Sequence, residues 1–352
     1  MSDSVGFVTG AHGLVGSYIV RELRDNPGWQ VYSTGRRPSP AVEGVPYVRL
    51  DISDPGALRA ADLPSDVTHL FFGAYQVVAD QDEEARLNLA MLKDTVDELR
   101  RRGSPLRHVS IYHGGKAYGA HIGAFKTPAK ESDPRLLQSL FYYDQEDWLR
   151  TLSRDAGVRF TILRPDHVCG SAFGPFVNLI HIIAMYATIS KELGQPLRFP
   201  GTELAYRSLV QLTDVRLLAR AAVWAASAPL AQDQVFNVSN GDLIRWTNTW
   251  PKVASFFDME VGPPFAYDLR RAMDPKLQAP VWDRIVAKHG LQPTRYEQFC
   301  TWTKAANVII AMERDLISST IKIRQAGFHD CMDSEDCVVD WFRQMREARL
   351  IP

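Results

Sequence analysis

The N-terminal glycine motif constrains the fold of this chain more than any other feature. Gly10, Gly13 and Gly16 are spaced GxxGxxG, after the apolar run VGFVT (5–9) and before the helical pattern LVGSYIVRELRD. In that position the first glycine allows a tight turn, the second lets a pyrophosphate approach the backbone, and the third lets helix and strand pack closely. The motif therefore predicts a βαβ unit that binds a dinucleotide at the N-terminus of its first helix.

Apolar segments of strand length alternate with helical patterns over the first 165 residues. The predicted strands are 5–9, 30–35, 46–51, 68–74, 107–113 and 159–165. Predicted helices include a short one capped by Asp54, a long one over about 82–102, and one that opens at Ser132-Asp133-Pro134 and ends near Gly157. This alternation predicts an α/β fold, a Rossmann-type doubly wound parallel sheet covered on both faces.

The regular alternation of predicted strands and helices ends after Pro165. We expect the dinucleotide-binding Rossmann domain to span 1–165, with returning elements at about 206–241: an amphipathic helix over Leu209–Trp224 and a strand over 234–241. Residues 166–205 and 242–352 are expected to form a smaller, mainly helical, substrate-binding cap. The ligand should lie beyond the carboxyl ends of the strands.

Composition narrows the function classes. Among the 352 residues the formal net charge is -1, which does not favour nucleic acid or an anionic membrane surface as a partner. The longest apolar run, 176–189, is shorter than a bilayer span and carries Asn178 and His181, so it predicts a buried helix. The four cysteines form no CxxC pair, which predicts a reduced cytoplasmic protein without a structural metal.

The end of the second predicted strand indicates which dinucleotide is bound. An acidic residue there would bond the ribose 2′-hydroxyl of NAD, but this chain has Gly35-Arg36-Arg37. A guanidinium pair suits a 2′-phosphate, so NADPH/NADP+ is the expected cofactor, although two solvated surface arginines are the plainer alternative. Asp51 and Ile52, after the third strand, are placed to meet the adenine, and a simple turn acid explains Asp51 nearly as well.

The stretch FYYDQED (141–147) carries the candidate catalytic acid. A tyrosine near a helix start with a lysine four residues on would form a catalytic pair on one helical face, but Glu146 stands four after Tyr142. Lys116, in the loop GGKAYG directly after the fifth strand, can replace that lysine if both side chains converge at the carboxyl edge of the sheet. The alternative is that Tyr142 is ordinary packing.

These features together resemble one family. The GxxGxxG turn, LDISDP (50–55), the GGKAYG loop, FYYDQED and VFNVSNGD (235–242) are similar to the short-chain dehydrogenase/reductase superfamily, extended or atypical type. Within it they resemble the progesterone 5β-reductase/iridoid synthase-like (PRISE) enzymes, over nearly the whole chain. There are departures: HGGKAY stands where the family often has TGRKHY, RPDHVCG where it has RPGNIFG, and Tyr75 where a tryptophan is common.

The resemblance implies a set of site residues. Tyr142 and Lys116 match the catalytic tyrosine and lysine. The motif and the resemblance together predict cofactor contacts from Gly10, His12, Gly13, Leu14, Val15, Gly16, Gly35, Arg36, Arg37, Asp51, Ile52, Gly73, Ala74, Lys116, Tyr142, Pro165 and Val168. Candidates for the substrate pocket are Tyr75, Tyr118, His121, Phe173, Phe176 and Phe342, with core packing an equally good interpretation of each aromatic. Asp166 and His167 are expected near the nicotinamide or the pocket mouth.

The implied activity is an NADPH-dependent reduction. Hydride would add to the activated C=C bond of an enone or enal, with Tyr142 stabilising the enolate oxygen and Lys116 tuning Tyr142 and binding the ribose. The alternative is a carbonyl reductase that uses the same pair on a ketone or aldehyde. A non-catalytic NADP-sensing protein is a third hypothesis. The expected partner is a small apolar enone, enal or ketone, and a homodimer would match the superfamily.

Overall fold

The chain divides into two compact units. The computed structural model describes residues 4–37, 43–174, 178–302 and 310–352. The first unit comprises Met1–Pro165, Val215–Val238 and Ser318–Asp330, and the second comprises Asp166–Asp214, Ser239–Ile317 and Cys331–Pro352. The chain thus returns to the first unit at Val215 rather than at 206, and returns again at Ser318, a segment that the sequence pattern did not indicate.

The described residues form thirteen strands. They are β1 Ser4–Thr9, β2 Trp29–Gly35, β3 Tyr47–Arg49, β4 His69–Phe72, β5 His108–Tyr112, β6 Arg159–Pro165, β7 His167–Cys169, β8 Leu197–Arg198, β9 Leu209–Val210, β10 Leu212–Asp214, β11 Gln234–Val238, β12 Ile244–Arg245 and β13 Val261–Gly262. Seven of them form one parallel sheet in the order β11-β6-β5-β4-β1-β2-β3, all within the first unit. The predicted Rossmann-type doubly wound sheet is confirmed.

The described residues also form thirteen α-helices. They are α1 Leu14–Arg24, α2 Pro55–Ala60, α3 Gln81–Arg101, α4 Phe141–Ala156, α5 Leu179–Glu192, α6 Glu203–Arg207, α7 Val215–Ser227, α8 Trp246–Phe256, α9 Leu269–Ala272, α10 Pro275–His289, α11 Tyr296–Phe299, α12 Ile321–Gln325 and α13 Ser334–Glu347. In the first unit α1 packs against α7, and α3 packs against α4. Strand β6 contacts both α4 and α7, as expected for a sheet with two covered faces.

The strands of the sheet are continuously apolar in sequence because both of their faces are buried. Every residue of β4 is buried, and the side chains of Phe7, Leu70 and Ile162 are fully excluded from water. Leu92 on α3 and Leu149 on α4 complete the same cluster. A strand with helices on both faces must be apolar on both sides, which removes the alternation of an exposed sheet.

Local capping fixes two helix starts that the sequence predicted. The Asp54 carboxylate accepts from the N–H groups of Gly56 and Ala57, with Pro55 in the first turn of α2. The Asp80 carboxylate accepts from the Glu83 N–H and begins α3, which runs within one residue of the predicted 82–102 at each end.

Two predicted elements were placed wrongly. Helix α4 begins at Phe141 instead of near Ser132, because the Asp133 carboxylate bonds the upstream Lys130 N–H and closes a turn in the preceding loop. The predicted helix Leu209–Trp224 begins only at Val215. The residues before it form β9 and β10, and β10 is drawn into parallel pairing with β7.

The second unit contains the long apolar run. Helix α5 is buried from Leu179 to Ser190, and the Asn178 side chain caps it by accepting from the N–H groups of Ile180 and His181. The predicted buried helix is therefore confirmed from residue 178 onward. Over the described ranges no helix is both long and apolar enough to cross a membrane. Within the same ranges no cluster of three or more His, Cys, Asp or Glu side chains is arranged to hold a metal ion.

Candidate active site

The glycine turn between β1 and α1 leaves no room for side chains. Gly10 has φ +65°, and a Cβ there would lie 2.5 Å from the carbonyl oxygen of Gly73, the residue after β4. A Cβ on Gly16 would overlap the Gly10 carbonyl oxygen. No side chain caps α1 at Gly13, so its first N–H groups are available to an anion. The turn, Gly73 and Ala74 therefore meet at the carboxyl end of β1.

His12 connects this turn to the end of β2. Its ring occupies the space that a Cβ on Gly35 would need, and its Nε2 lies 2.8 Å from the Tyr47 hydroxyl. The same hydroxyl is 2.7 Å from the carbonyl oxygen of Arg37. Burial, and then the charge of Arg37, lower the pKa of His12, so the ring is neutral at neutral pH. The neutral His12 side chain thus packs between two turns that are predicted to contact the cofactor.

A cavity of about 520 Å³ opens beside the end of β3. It is lined by Arg36, Arg49, Leu50, Asp51, Ala57, Ala60 and Ala61. Arg49 Nε donates to the Arg36 carbonyl oxygen at 3.3 Å. Burial alone would raise the pKa of Asp51, but hydrogen bonds from Ser53 and the charge of Arg36 together lower it, so the carboxylate is ionised. Two arginines and one ionised aspartate thus line the cavity.

Sequence reasoning missed Arg49. In the sheet Arg49 is the register partner of Gly35, which places it beside the end of β2. The sequence places Arg49 at the end of a predicted strand. Only the strand register shows that this position lies beside Gly35-Arg36-Arg37. The side chain of Ile52, which is predicted to meet the adenine, is buried in the sheet core.

Tyr142 lies in the first turn of α4, beside the end of β5. Its ring stacks on the ring of His113 with centroids 4.0 Å apart and an interplanar angle of 9°. Phe141 meets it edge-on at 4.6 Å. Its hydroxyl oxygen lies near Gly114, 3.8 Å from the position that a Cβ on that residue would take. The half-buried Tyr142 is therefore held against the turn Gly114-Gly115-Lys116.

Burial, more than the charges nearby, keeps Tyr142 protonated. Burial raises its pKa, the charge of Glu84 raises it further, and Arg164 partly offsets both. The expected lowering by Lys116 is not seen among the described residues. Lys116 is exposed in the 3-10 turn Gly115–Tyr118, and its charge instead adds to burial in lowering the pKa of His121. At neutral pH Tyr142 is thus a neutral phenol, able to donate a hydrogen bond.

The neighbouring Tyr143 has a different role. Its hydroxyl accepts from the Leu136 N–H at 3.1 Å and donates to the Ala117 carbonyl oxygen at 2.9 Å. It therefore fastens the turn that carries Lys116 to α4. Glu146 binds Arg164 and Arg150, which braces the helix rather than serving chemistry.

Two predicted pocket residues of the first unit keep an exposed surface. Tyr75 is 46% exposed, stacks on Phe141 at 5.3 Å, and donates to Glu84 Oε1 at 2.7 Å. His121 is exposed, with its Nε2 2.8 Å from the side-chain nitrogen of Gln138. Tyr75 thus extends the ring cluster of Phe141 and Tyr142 toward solvent.

Tyr118 and Phe342, which the sequence predicted to line the substrate pocket, are both buried. The Tyr118 hydroxyl donates to Asn237 Oδ1 at 2.5 Å and accepts from Arg164 at 3.1 Å, and burial raises its pKa to about 12. Phe342 is fully buried in the second unit against Phe256 and Phe257. Both are core residues, so neither is carried into the proposed site.

The remaining predicted residues lie at or after the end of β6. Pro165 ends β6 in the first unit, and its carbonyl oxygen would be 3.4 Å from a Cβ on Gly114. Val168, Asp166, His167 and Phe173 belong to the second unit. Burial lowers the pKa of His167 to about 4, so its ring is neutral at neutral pH. Phe173 meets His181 and Phe299 edge-on, and Phe176 lies outside the described residues.

Comparison with known families decides the classification. Residues 56–352 match the family model of the PRISE-like Rossmann-fold domain. The chain belongs to the PRISE family. Its sequence is 33% identical to an (S)-8-oxocitronellyl enol synthase of Nepeta racemosa, over 99% of this chain and 91% of that protein. It is 30% identical to the 3-oxo-Δ(4,5)-steroid 5β-reductase of Arabidopsis thaliana, over 99% of this chain and 94% of that protein.

Solved structures confirm the fold of this PRISE protein. A putative epimerase from Burkholderia cenocepacia superposes with a TM-score of 0.69 at 17% identity, covering 98% of this chain and 99% of that one. A UDP-glucose 4-epimerase from Thermotoga maritima superposes with a TM-score of 0.67 at 17% identity, covering 97% and 99%. The predicted membership of the short-chain dehydrogenase/reductase superfamily is confirmed, and the protein is an oxidoreductase of that superfamily.

Proposed function

We propose that this protein is an NADPH-dependent reductase of activated C=C bonds in small apolar enones or enals. One observation carries the proposal: a neutral, half-buried Tyr142 has its hydroxyl beside Gly114, at the start of the turn that carries Lys116. Among the described residues that hydroxyl forms no hydrogen bond. Two relatives support the choice of substrate class, because their names describe an enol synthase and a steroid 5β-reductase.

The residues around β1 to β3 fit a nicotinamide dinucleotide. The side-chain-free turn at Gly10 and the uncapped start of α1 suit a pyrophosphate. Arg36 and Arg49 line the cavity beside them and suit the 2′-phosphate that distinguishes NADPH from NADH. Asp51, ionised in the same cavity, suits hydrogen bonding to the adenosine end. When bound, the cofactor supplies the hydride.

In the proposed reaction Tyr142 donates a hydrogen bond to the carbonyl oxygen of the substrate. Charge develops on that oxygen as the β-carbon is reduced, and a positioned donor stabilises the enolate. Because its pKa is raised, Tyr142 holds its proton, so it stabilises an oxyanion by hydrogen bonding more readily than by full transfer. In C=C reduction the enolate takes its balancing proton from solvent at the α-carbon, so a hydrogen bond from Tyr142 is sufficient, whereas carbonyl reduction needs Tyr142 to give its proton to the oxygen.

Lys116 acts from the turn after β5. It is exposed and its ammonium is fixed to no carboxylate among the described ion pairs, so we assign it to the ribose hydroxyls of the cofactor. From that position its charge would also favour the anion that forms beside Tyr142. Tyr143 supports this assignment by holding the turn through Ala117.

The test is NADPH oxidation with cyclic enones, enals and a 4-ene-3-keto steroid, each paired with its saturated aldehyde or ketone. We expect turnover with the unsaturated compounds only. Tyr142→Phe should lower kcat about 10²- to 10³-fold, as does removal of other oxyanion donors, with the fold intact. Lys116→Met should weaken cofactor binding and lower turnover.

The outcomes separate the alternatives. Reduction of saturated aldehydes and ketones without any alkene reduction would make the protein a carbonyl reductase. Tight NADP+ binding with no turnover on any substrate would make it a cofactor-sensing protein. Full turnover by both variants would remove Tyr142 and Lys116 from the site.

A further inference from the structure

His113 follows β5 and lies beneath the proposed catalytic tyrosine. Its imidazole is parallel to the Tyr142 phenol, with centroids 4.0 Å apart and 9° between planes. We propose that His113 is a positioning residue: its flat ring fixes the plane of Tyr142, and so the direction of the hydroxyl, for the reduction. This inference rests on the proposed function of Tyr142.

A chain of hydrogen bonds holds the His113 ring. Gln145 Nε2 donates to the Asn88 carbonyl oxygen at 3.1 Å, so the amide oxygen of Gln145 faces His113 Nε2, also at 3.1 Å. That oxygen can only accept, so Nε2 of His113 carries the hydrogen. Asn88 is itself fixed, with its side chain bonded to the carbonyl oxygens of Gln76 and Glu84. The ring is thus anchored through α4 to α3.

The chemistry of His113 suits support rather than proton transfer. Its Nδ1 is buried and forms no hydrogen bond among the described residues. Burial, and then the charge of Arg164, hold the pKa of His113 well below its usual range, so the ring stays neutral. A neutral flat ring stacks on a neutral phenol without adding charge beside the hydroxyl.

The stack also limits where the Tyr142 hydroxyl points. His113 covers one face of the phenol and Phe141 meets its edge at 4.6 Å and 74°. Between them the ring is held with its hydroxyl beside Gly114. Catalytic groups must keep their geometry closely, and a displacement of about 1 Å can cost about 10²-fold in rate. Losing the flat ring beneath Tyr142 should therefore reduce turnover.

Two variants of His113 separate the effect of a flat ring from the effect of filling the space. His113→Phe and His113→Leu both fill the space and both lose the bond to Gln145, but only phenylalanine keeps a flat surface under Tyr142. We expect kcat for enone reduction to fall about 10- to 100-fold in the leucine variant and to stay within about threefold of wild type in the phenylalanine variant. KM and the NADP+ Kd should change little in either.

Equal kcat values in the two variants would overturn the inference, since a residue that only supports the fold would affect both alike. If the leucine variant does not fold, His113→Met, a flexible side chain, takes its place with the same expectation. Tyr142→Phe is measured in parallel. If Tyr142→Phe keeps full turnover, the proposed role of Tyr142 fails; if it is inactive while the pair is equal, only the role of His113 fails.

Discussion

Replacing Arg49 by glutamine should change cofactor choice rather than cofactor binding in general. Arg49 ends β3 opposite Gly35, lines the cavity of about 520 Å³ with Arg36, and is bonded to the Arg36 backbone. A hydrogen bond to a charged group contributes about 1.5–3 kcal/mol. Its loss should therefore weaken NADP+ binding about 10- to 150-fold. NAD+ lacks the 2′-phosphate, so its Kd should change by less than about threefold.

The assay is calorimetric titration of NADP+, NAD+ and adenosine 2′,5′-bisphosphate against the wild type, Arg49→Gln and Arg36→Gln. Arg59→Gln is the matched control, because Arg59 lies on α2 but its side chain does not line the cavity. We expect the control to bind all three ligands as the wild type does. The reasoning is refuted if Arg49→Gln weakens NADP+ and NAD+ equally, or weakens neither.

Three further predictions concern the fold around the site. Gly10→Ala should destabilise the protein more than Gly103→Ala in urea titrations, because both glycines have left-handed φ but only Gly10 would place its Cβ against backbone. Tyr143→Phe should lower the melting temperature while Tyr142→Phe does not, since only the Tyr143 hydroxyl bonds backbone. The free energy of unfolding from urea titrations should fall between pH 6.5 and 4.5, by up to about 1.4 kcal/mol per pH unit for each histidine that is buried neutral when folded but protonated when unfolded; an unchanged free energy contradicts this. These histidines, with pKa values of about 4 or 3, are His69, His108, His167 and His181.

The parts of the fold that depend on nearby residues were predictable from the sequence. The glycine turn follows from local backbone geometry, with Gly10 at φ +65° and α1 starting directly after Gly13. The start of α3 follows from the Asp80 cap. The parallel sheet follows from apolar runs separated by helices, since parallel strands need crossovers.

Features that depend on long-range contacts were not predictable. Tyr118 resembled a pocket residue because it follows Lys116, but its hydroxyl partner Asn237 is 119 positions away. Arg49 becomes a cofactor candidate only once the pairing of β2 with β3 is known. His113 acquires a role only because the end of β5 faces the first turn of α4, a position that no local pattern reveals.

The same limit applied to helix boundaries. Ser132-Asp133-Pro134 has the composition of a helix start, yet Asp133 bonds backward to Lys130 and the helix begins at Phe141. The shift matters for the site, because it places Tyr142 in the first turn of α4, against β5. The sequence suggested Tyr142 and Lys116 as a pair, while the positions of the two residues in the fold required the tertiary structure.

The most direct test of the proposed function is the fate of the transferred hydride. The protein is incubated with NADPH deuterated at the transferring C4 position and a cyclic enone, and the product is examined by NMR. We predict deuterium on the β-carbon of a saturated ketone, formed about 10²- to 10³-fold more slowly by Tyr142→Phe. Deuterium on the carbonyl carbon of an allylic alcohol would contradict the account.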